Sequence, residues 1–228
     1  MSDKTAIVIG ASRGLGLGLT QELARRGYKV IATERSTSPD LHDVAKANAP
    51  VVEIVKCDVT DEQAVAGLAS ACAEGSVDLL VMNPGVYGGD AQGLEDLTRD
   101  NVADIVMTNA VAPAQAALTL LPLMKKGGTI AMMSSKMGSI ADSSGGVNLY
   151  RLSKVSQNML ARSLFAKHAE ERGVGVISLH PGWVRTDMGG PNGLIDVETS
   201  VNGMLDLLEA EGTPRHAFLA YDGSEVPW

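Results

Sequence analysis

Short apolar runs alternate along the chain with stretches in which apolar residues recur every three or four positions. The runs predict strands near 4–9, 28–33, 51–56, 77–82, 128–134, 174–180 and 216–221. The helical spacing predicts helices near 14–27, 40–48, 61–74, 98–125, 147–172 and 197–211. Val77-Asp-Leu-Leu-Val-Met82 and Thr129-Ile-Ala-Met-Met133 are apolar without alternation, as expected of strands covered on both faces. Strand and helix alternating in this way build βαβ units. The expected fold is α/β: one Rossmann-type domain over residues 1–228, with a doubly wound parallel sheet of about seven strands and helices on both faces.

Ligands of such sheets bind beyond the carboxyl ends of the strands. Gly10, Glu34, Asp58, Asn83, Ser135 and Pro181 all fall at predicted strand ends, a placement that scattered chance motifs would not share. The first of these ends is the most specific. The run Thr5 to Ile9 leads into Gly10-Ala-Ser-Arg-Gly14-Leu15-Gly16, and Leu15, Leu19, Leu23 and Ala24 then repeat on one helical face. Glycines in a strand–turn–helix junction allow positive φ and close backbone approach, so that helix N–H groups can face a pyrophosphate. A tight turn without a ligand is the bland alternative. A P-loop is excluded, because no Lys-Ser or Lys-Thr follows the last glycine.

Tyr150-Arg-Leu-Ser-Lys154 carries candidate chemistry. On a helix the two residues lie at i and i+4, about 6 Å apart along the axis. A phenol titrates near pH ~10, and a neighbouring ammonium is expected to lower that value towards the range useful in acid–base catalysis. Ser135, one strand upstream, is placed to hydrogen-bond a carbonyl oxygen that develops charge. A surface Tyr and Lys on an amphipathic helix is the competing reading.

Composition removes several classes. A net charge of −8 argues against nucleic acid as a partner. Cys57 and Cys72 form no framework and fit a reducing, cytoplasmic compartment. No Cys/His spacing predicts a metal site, and His42, His168, His180 and His216 are scattered. Met-Ser-Asp-Lys-Thr runs directly into the first strand, so no leader is expected. No uninterrupted apolar stretch approaches the ~20 residues of a bilayer span, so no membrane partner is expected.

With these segments in order, the chain resembles a classical short-chain dehydrogenase/reductase, in its C-factor-like (sniffer-like) branch. Gly10 to Gly16 matches the family's TGxxxGxG turn, with Ile9 where Thr is usual. Cys57-Asp58-Val59-Thr60 matches the acidic segment that contacts adenine, and Asn109, Ser135, Tyr150 and Lys154 match the catalytic tetrad. The resemblance implies that Asn109 holds a water in a proton relay. His180-Pro181-Gly182-Trp183-Val184-Arg185-Thr186 resembles the segment whose backbone and threonine position the nicotinamide carboxamide. Met82-Asn83-Pro84-Gly85 departs from the usual Asn-Asn-Ala-Gly; Pro84 lacks an N–H, so side-chain contacts carried over from that motif are doubtful. The branch placement rests on Val-Ile-Ala-Thr33, Ser135 to Ile140, His180 to Pro191 and Tyr221 to Trp228.

The resemblance implies an NAD(P)-dependent oxidoreductase that moves hydride between nicotinamide and a carbonyl or secondary alcohol. Expected cofactor contacts are Gly10, Ser12, Arg13, Gly14, Leu15, Gly16, Glu34, Arg35, Asp58, Val59, Asn83, Pro84, Gly85, Tyr150, Lys154, Pro181, Gly182, Val184 and Thr186. Glu34 at the second strand end can bond an adenosine ribose and repel a 2′-phosphate, whereas Arg13 and Arg35 suit that phosphate. Glu34 tips the expectation slightly to NAD(H) over NADP(H). Residues 186–196 read as a mobile substrate loop, Tyr87–Gly93 and Met137–Val147 as other walls of the cleft, and Ser139, Ile140, Asn148 and Trp183 as substrate neighbours. A dinucleotide-binding signalling or sensor protein is the second hypothesis; a methyltransferase has no use for the Tyr/Lys pair. The family commonly pairs through its long helices, here 98–125 and 147–172, which leaves a homodimer or homotetramer open, beside the monomer seen in some small relatives.

Overall fold

The computed structural model describes residues 4–210 and 215–228. Seven strands form one parallel sheet in the order β3-β2-β1-β4-β5-β6-β7: Thr5–Ile9 (β1), Lys29–Glu34 (β2), Val52–Lys56 (β3), Val77–Met82 (β4), Met124–Met133 (β5), Gly175–His180 (β6) and His216–Ala220 (β7). The chain order reverses between β1 and β4, which opens a crevice at their carboxyl ends. The expected α/β fold is the one observed.

Helices Gly14–Arg25 (α1), Pro39–Ala47 (α2), Glu62–Ala71 (α3), Arg99–Val106 (α4), Ala112–Leu120 (α5), Asn148–Leu164 (α6) and Val197–Ala210 (α7) cover both faces. The starts of α2, α3 and α4 are written locally. Ser38 Oγ accepts the Leu41 N–H ahead of Pro39, Asp61 accepts from Gln63 and Ala64, and Thr98 and Asn101 cap each other reciprocally. On one face Leu19, Leu23, Met204 and Leu205 pack on Val8, Val30 and Val81. On the other, Leu68, Leu120, Ala161 and Leu164 pack on Ile7, Leu80 and Ile130. Each fully buried Leu or Ile contributes about 2 kcal/mol through removal of apolar surface from water.

Two boundaries differ from expectation. The predicted helix 98–125 is α4, a wide π turn at Met107–Val111, α5 and a tight turn at Leu121–Leu123, and β5 already begins at Met124. Pro113 has no N–H for the Asn109 carbonyl one turn back, which is where the helix widens. The predicted helix 147–172 likewise widens at Phe165–Ala169. Residue 211, at the end of the last predicted helix, lies outside the described residues. Arg99–Leu123 is long and apolar enough to cross a membrane by length and composition (mean hydropathy 1.3); half of that window is buried in the fold.

Candidate active site

The site is built around the start of α6. Gly145, Gly146 and Val147 follow one another with φ of 84°, 73° and 52°, so the chain enters the helix through a left-handed run. Val147 offers no capping side chain. Gln92, from the loop after β4, takes that part: its carbonyl accepts the Asn148 N–H at 2.8 Å and its Oε1 accepts the Tyr150 N–H at 3.0 Å. The same amide donates to the carbonyls of Tyr87 and Gly89 at 3.0 and 2.9 Å. The loop and the helix start are therefore one unit, and the rings of Tyr87 and Tyr150 lie 5.3 Å apart.

Tyr150 is 9% exposed and hydrogen-bonded to Ser135. Ser135 Oγ accepts the Met137 N–H at 3.2 Å, which leaves its proton to donate. Burial pushes the Tyr150 hydroxyl up to about 12, with the Ser135 bond pulling the other way. The sequence led us to expect a lowered value; the difference has a physical cause. Lys154 Nζ sits 5.7 Å from the Tyr150 ring centroid and donates instead to Met133 O at 2.8 Å and Gln157 Oε1 at 3.0 Å. Burial brings the Lys154 ammonium down to about 7.

Asn109, on the π turn, is fully buried. Its Nδ2 donates to Val86 O and Ser153 Oγ, and its Oδ1 accepts the Val86 N–H. Ser153 donates in turn to the Tyr150 carbonyl at 2.7 Å. Asn109 thus ties the loop after β4 to α6, and its side chain is committed to that task. The four tetrad residues are brought together.

The glycine turn beside them is a tight knot. A Cβ on Gly16 would stand 2.1 Å from Gly10 O and 2.8 Å from Asn83 Nδ2. Asn83 Nδ2 donates to that same carbonyl at 2.8 Å, so its amide braces the turn, while Pro84 packs on Gly10. Asn83 thereby supplies a tie between β4 and the turn that Met82 lacks the amide to make. Ser12 O accepts the Ser38 hydroxyl, and Leu15 packs into the core beneath. No side chain caps α1, whose N-cap is Arg13. An uncapped helix start over a turn too tight for any Cβ suits a dinucleotide pyrophosphate. Gly85 faces Lys154, with its Cβ position 3.6 Å from Nζ.

At the end of β2 the expectation changes. Glu34 is 7% exposed, and both oxygens are engaged: Oε2 accepts the Ser38 N–H at 2.8 Å and Oε1 faces His42 Nε2 at 3.0 Å. Burial opposes its charge, but the His42 and Ser38 bonds prevail and hold it below the usual carboxylate range. The carboxylate secures the start of α2, a task the sequence did not assign to it. Arg35 stays exposed near Asp58. Asp58 Oδ1 accepts from the Thr60 N–H and hydroxyl, which hold it low, and Val59 packs against the core.

Residues 183–195 close the other side. Val184 and Ile195 bridge, Trp183 Nε1 donates to Gly189 O at 2.8 Å, and Thr186 Oγ1 accepts the Gly189 N–H. These contacts tie the base of the expected substrate loop, and Met188 and Leu194 face outward at 48% and 75% exposure. Pro181 O accepts the Ser200 hydroxyl, Gly182 packs against Tyr221, and Gly14 packs near Thr186. Arg13 reaches over to Asp187 at 2.8 Å. Of the expected substrate neighbours, Ser139 is buried and accepts the Asp142 N–H, and Asn148 is bound to Gln92. Ile140 faces a groove of about 350 Å³ with Met159 and Trp228, on the flank of α6 formed by Val155, Asn158 and Arg162. Trp183 remains exposed beside the loop.

Sequence reasoning placed Tyr87 and Gln92 only in a wall of the cleft, and missed Ser153 and Gln157. The signal for Gln157 was present: a polar residue one turn beyond Lys154 on the buried face of α6. For the hold of Gln92 on α6 there was none, because Asn148 and Tyr150 lie 56 and 58 residues away.

A family model described as short chain dehydrogenase matches residues 4–193. The chain is 39% identical to the C-signal of Myxococcus xanthus over 159 residues, 68% of this chain and 94% of that protein. A short-chain dehydrogenase/reductase of Burkholderia multivorans solved with bound NADP superposes with a TM-score of 0.93 at 34% identity over 99% of each chain. A carbonyl reductase of Pseudomonas aeruginosa PAO1 in complex with NADP gives 0.91 at 34% identity over 100% of each. Turn, tetrad and sheet edge, taken with these likenesses, define the class: the chain belongs to the short-chain dehydrogenase/reductase family. It is an NAD(P)-dependent oxidoreductase with a relative of the C-factor type.

Proposed function

We propose that this chain reduces the carbonyl of a small, uncharged or partly apolar molecule at the Ser135–Tyr150–Lys154 cluster, and runs the reverse oxidation when substrate supply demands it. The observation that carries this reading is the meeting of those three residues, Tyr150 and Lys154 buried and Ser135 half-buried, at the sheet rim beside the glycine turn. A bound nicotinamide supplies the hydride. Tyr150 gives its proton to the carbonyl oxygen and is reprotonated from solvent. Ser135 donates a hydrogen bond to that oxygen as its charge grows. A hydroxyl pushed up to about 12 holds its proton at neutral pH, which suits the reducing direction. No feature of the site favours a silent sensor.

The residues that would hold the dinucleotide are the turn Gly10–Gly16, Asp58, Gly85, Pro181 to Val184 and Thr186. We take NADP(H) as the preferred form: Glu34 is spent on α2, Arg13 and Arg35 are exposed on either side, and the two structural relatives carry NADP. Exposed Leu152 and Met159 on α6, with Met107 and Leu118 on the preceding long helix, support a homo-oligomer, which sedimentation would size. Two free cysteines fit residence in the cytoplasm. Tyr150→Phe tests the chemistry: NADPH oxidation against a panel of aldehydes and ketones should fall by about 10²–10⁴-fold with NADPH binding intact. Unchanged turnover refutes the reading.

A further inference from the structure

The buried face of α6 carries two polar side chains for which the chemistry above has no use: Asn158, whose amide is satisfied by Ser134 and Gly138, and Gln157. Gln157 is 0% exposed, and its Oε1 accepts from Lys154 Nζ at 3.0 Å. Its Nε2 is buried with no hydrogen-bond partner among the described residues. Reversing the amide would set two donors against an ammonium that has only donors, so the network fixes the oxygen on Lys154. An amide N–H left buried and unpaired is costly, and a Leu or Met would fill the same space without that cost. The contact with Lys154 is what offsets it.

We propose that Gln157 is a positioning residue for the reaction: with the Met133 carbonyl it is the second fixed acceptor that sets where the Lys154 ammonium lies, 5.7 Å from the Tyr150 ring. This rests on reading Lys154 as part of the catalytic cluster. Lys154 is itself 3% exposed, and its other acceptor is the Met133 carbonyl of β5. An ammonium stripped of acceptors in such surroundings gives up its proton.

No carboxylate shares the task among the described residues. Lys154 is faced by Tyr150 from its own helix and by Gly85 from the loop after β4. Asn109 stands beyond Gly85, with its polar atoms on Val86 and Ser153. Gly138, after β5, packs on the Lys154 backbone. The charged side chains of these elements are directed elsewhere: Lys136 pairs with Asp142, and Arg151 donates to the Gly146 and Met137 carbonyls. With burial and the Met133 carbonyl fixed by the fold, the acceptor at 157 is the side-chain variable that bears on how firmly Lys154 holds its proton. Burial already brings that proton's midpoint to about 7, so a change in either direction alters the charge near neutrality.

The test is a titration of the ligand-free protein with ¹³Cε-labelled lysine, the Lys154 signal being assigned by its loss in Lys154→Met. Gln157→Leu and Gln157→Met should move the midpoint down by about one pH unit, a tenfold loss of proton affinity, and Gln157→Glu should move it up. The alkaline limb of kcat, measured with NADPH and 4-nitrobenzaldehyde, should move in the same directions. A midpoint that stays put across the folded variants overturns the proposal; Met and Glu carry the comparison if Leu prevents folding. Tyr150→Phe is assayed alongside: retained turnover there overturns the catalytic reading, while the lysine titration still decides the role of Gln157.

Discussion

Gln92 Oε1 accepts the backbone N–H of Tyr150 at 3.0 Å, so the helix that carries the proton donor is capped by a residue from another loop. Because the Gln92 amide also grips the Tyr87 and Gly89 carbonyls, a change in that loop reaches Tyr150 through one side chain. Gln92→Ala should cost about 1 kcal/mol of stability, the usual size of a lost cap. It should also lower kcat by about tenfold while NADPH affinity holds, because Tyr150 loses its fixed aim. Gln92→Glu keeps the acceptor but not the donors and should fall between the two. Thermal melts and steady-state kinetics on the three proteins read this out.

Gly16→Ala should abolish dinucleotide binding. A methyl group there would stand 2.1 Å from Gly10 O, and backbone must shift to admit it. Fluorescence titration with NADPH should show no saturation at concentrations that saturate the parent, and the melting temperature should fall.

Arg35→Ala and Arg13→Ala should each raise the NADPH dissociation constant about tenfold, one charged contact's worth, while NADH binding changes little. Glu34→Gln should instead lower stability at the start of α2, with little change in the ratio of the two dinucleotides. A Glu34 variant that sharply improves NADPH over NADH would contradict the assignment of its carboxylate to Ser38 and His42.

Acid should loosen the contact between α1 and α7. Arg26 bonds Glu22, Asp206 and Glu209 there. The Arg25 bond foremost, and Arg26 with it, hold Glu22 down to about 2 from 4.5. A lowered carboxylate stabilises the fold above its unfolded value, and that contribution is lost as pH falls from about 4.5 towards 2. Glu22→Gln should therefore be less stable than the parent at pH 6, with the gap narrowing at pH 3. Urea midpoints at the two pH values measure it.

Much of this architecture was legible because parallel strands buried on both faces are written as unbroken apolar runs; β4 and β6 show this most plainly. The glycine turn and Ser135 were legible because each follows a strand end, and Tyr150 and Lys154 because they share a helix face one turn apart. What escaped was the assignment of polar side chains to distant partners. Glu34 resembles a ribose ligand until His42, eight residues on, is seen to occupy it. Lys154 was expected to tune the Tyr150 phenol, yet its ammonium donates to Met133 and Gln157. The start of β5 was misplaced because Gly127 and Gly128 interrupt its apolar run, at the point where its register with β4 shifts.

Val147 holds φ at 52°, a conformation that a β-branched residue adopts only under duress. Glycine at that position would relax the backbone and, by the same token, leave α6 free to pivot. The protein thus keeps a stiff wrist where a looser one would be more comfortable, and a more thermostable Val147→Gly variant should be the poorer reductase.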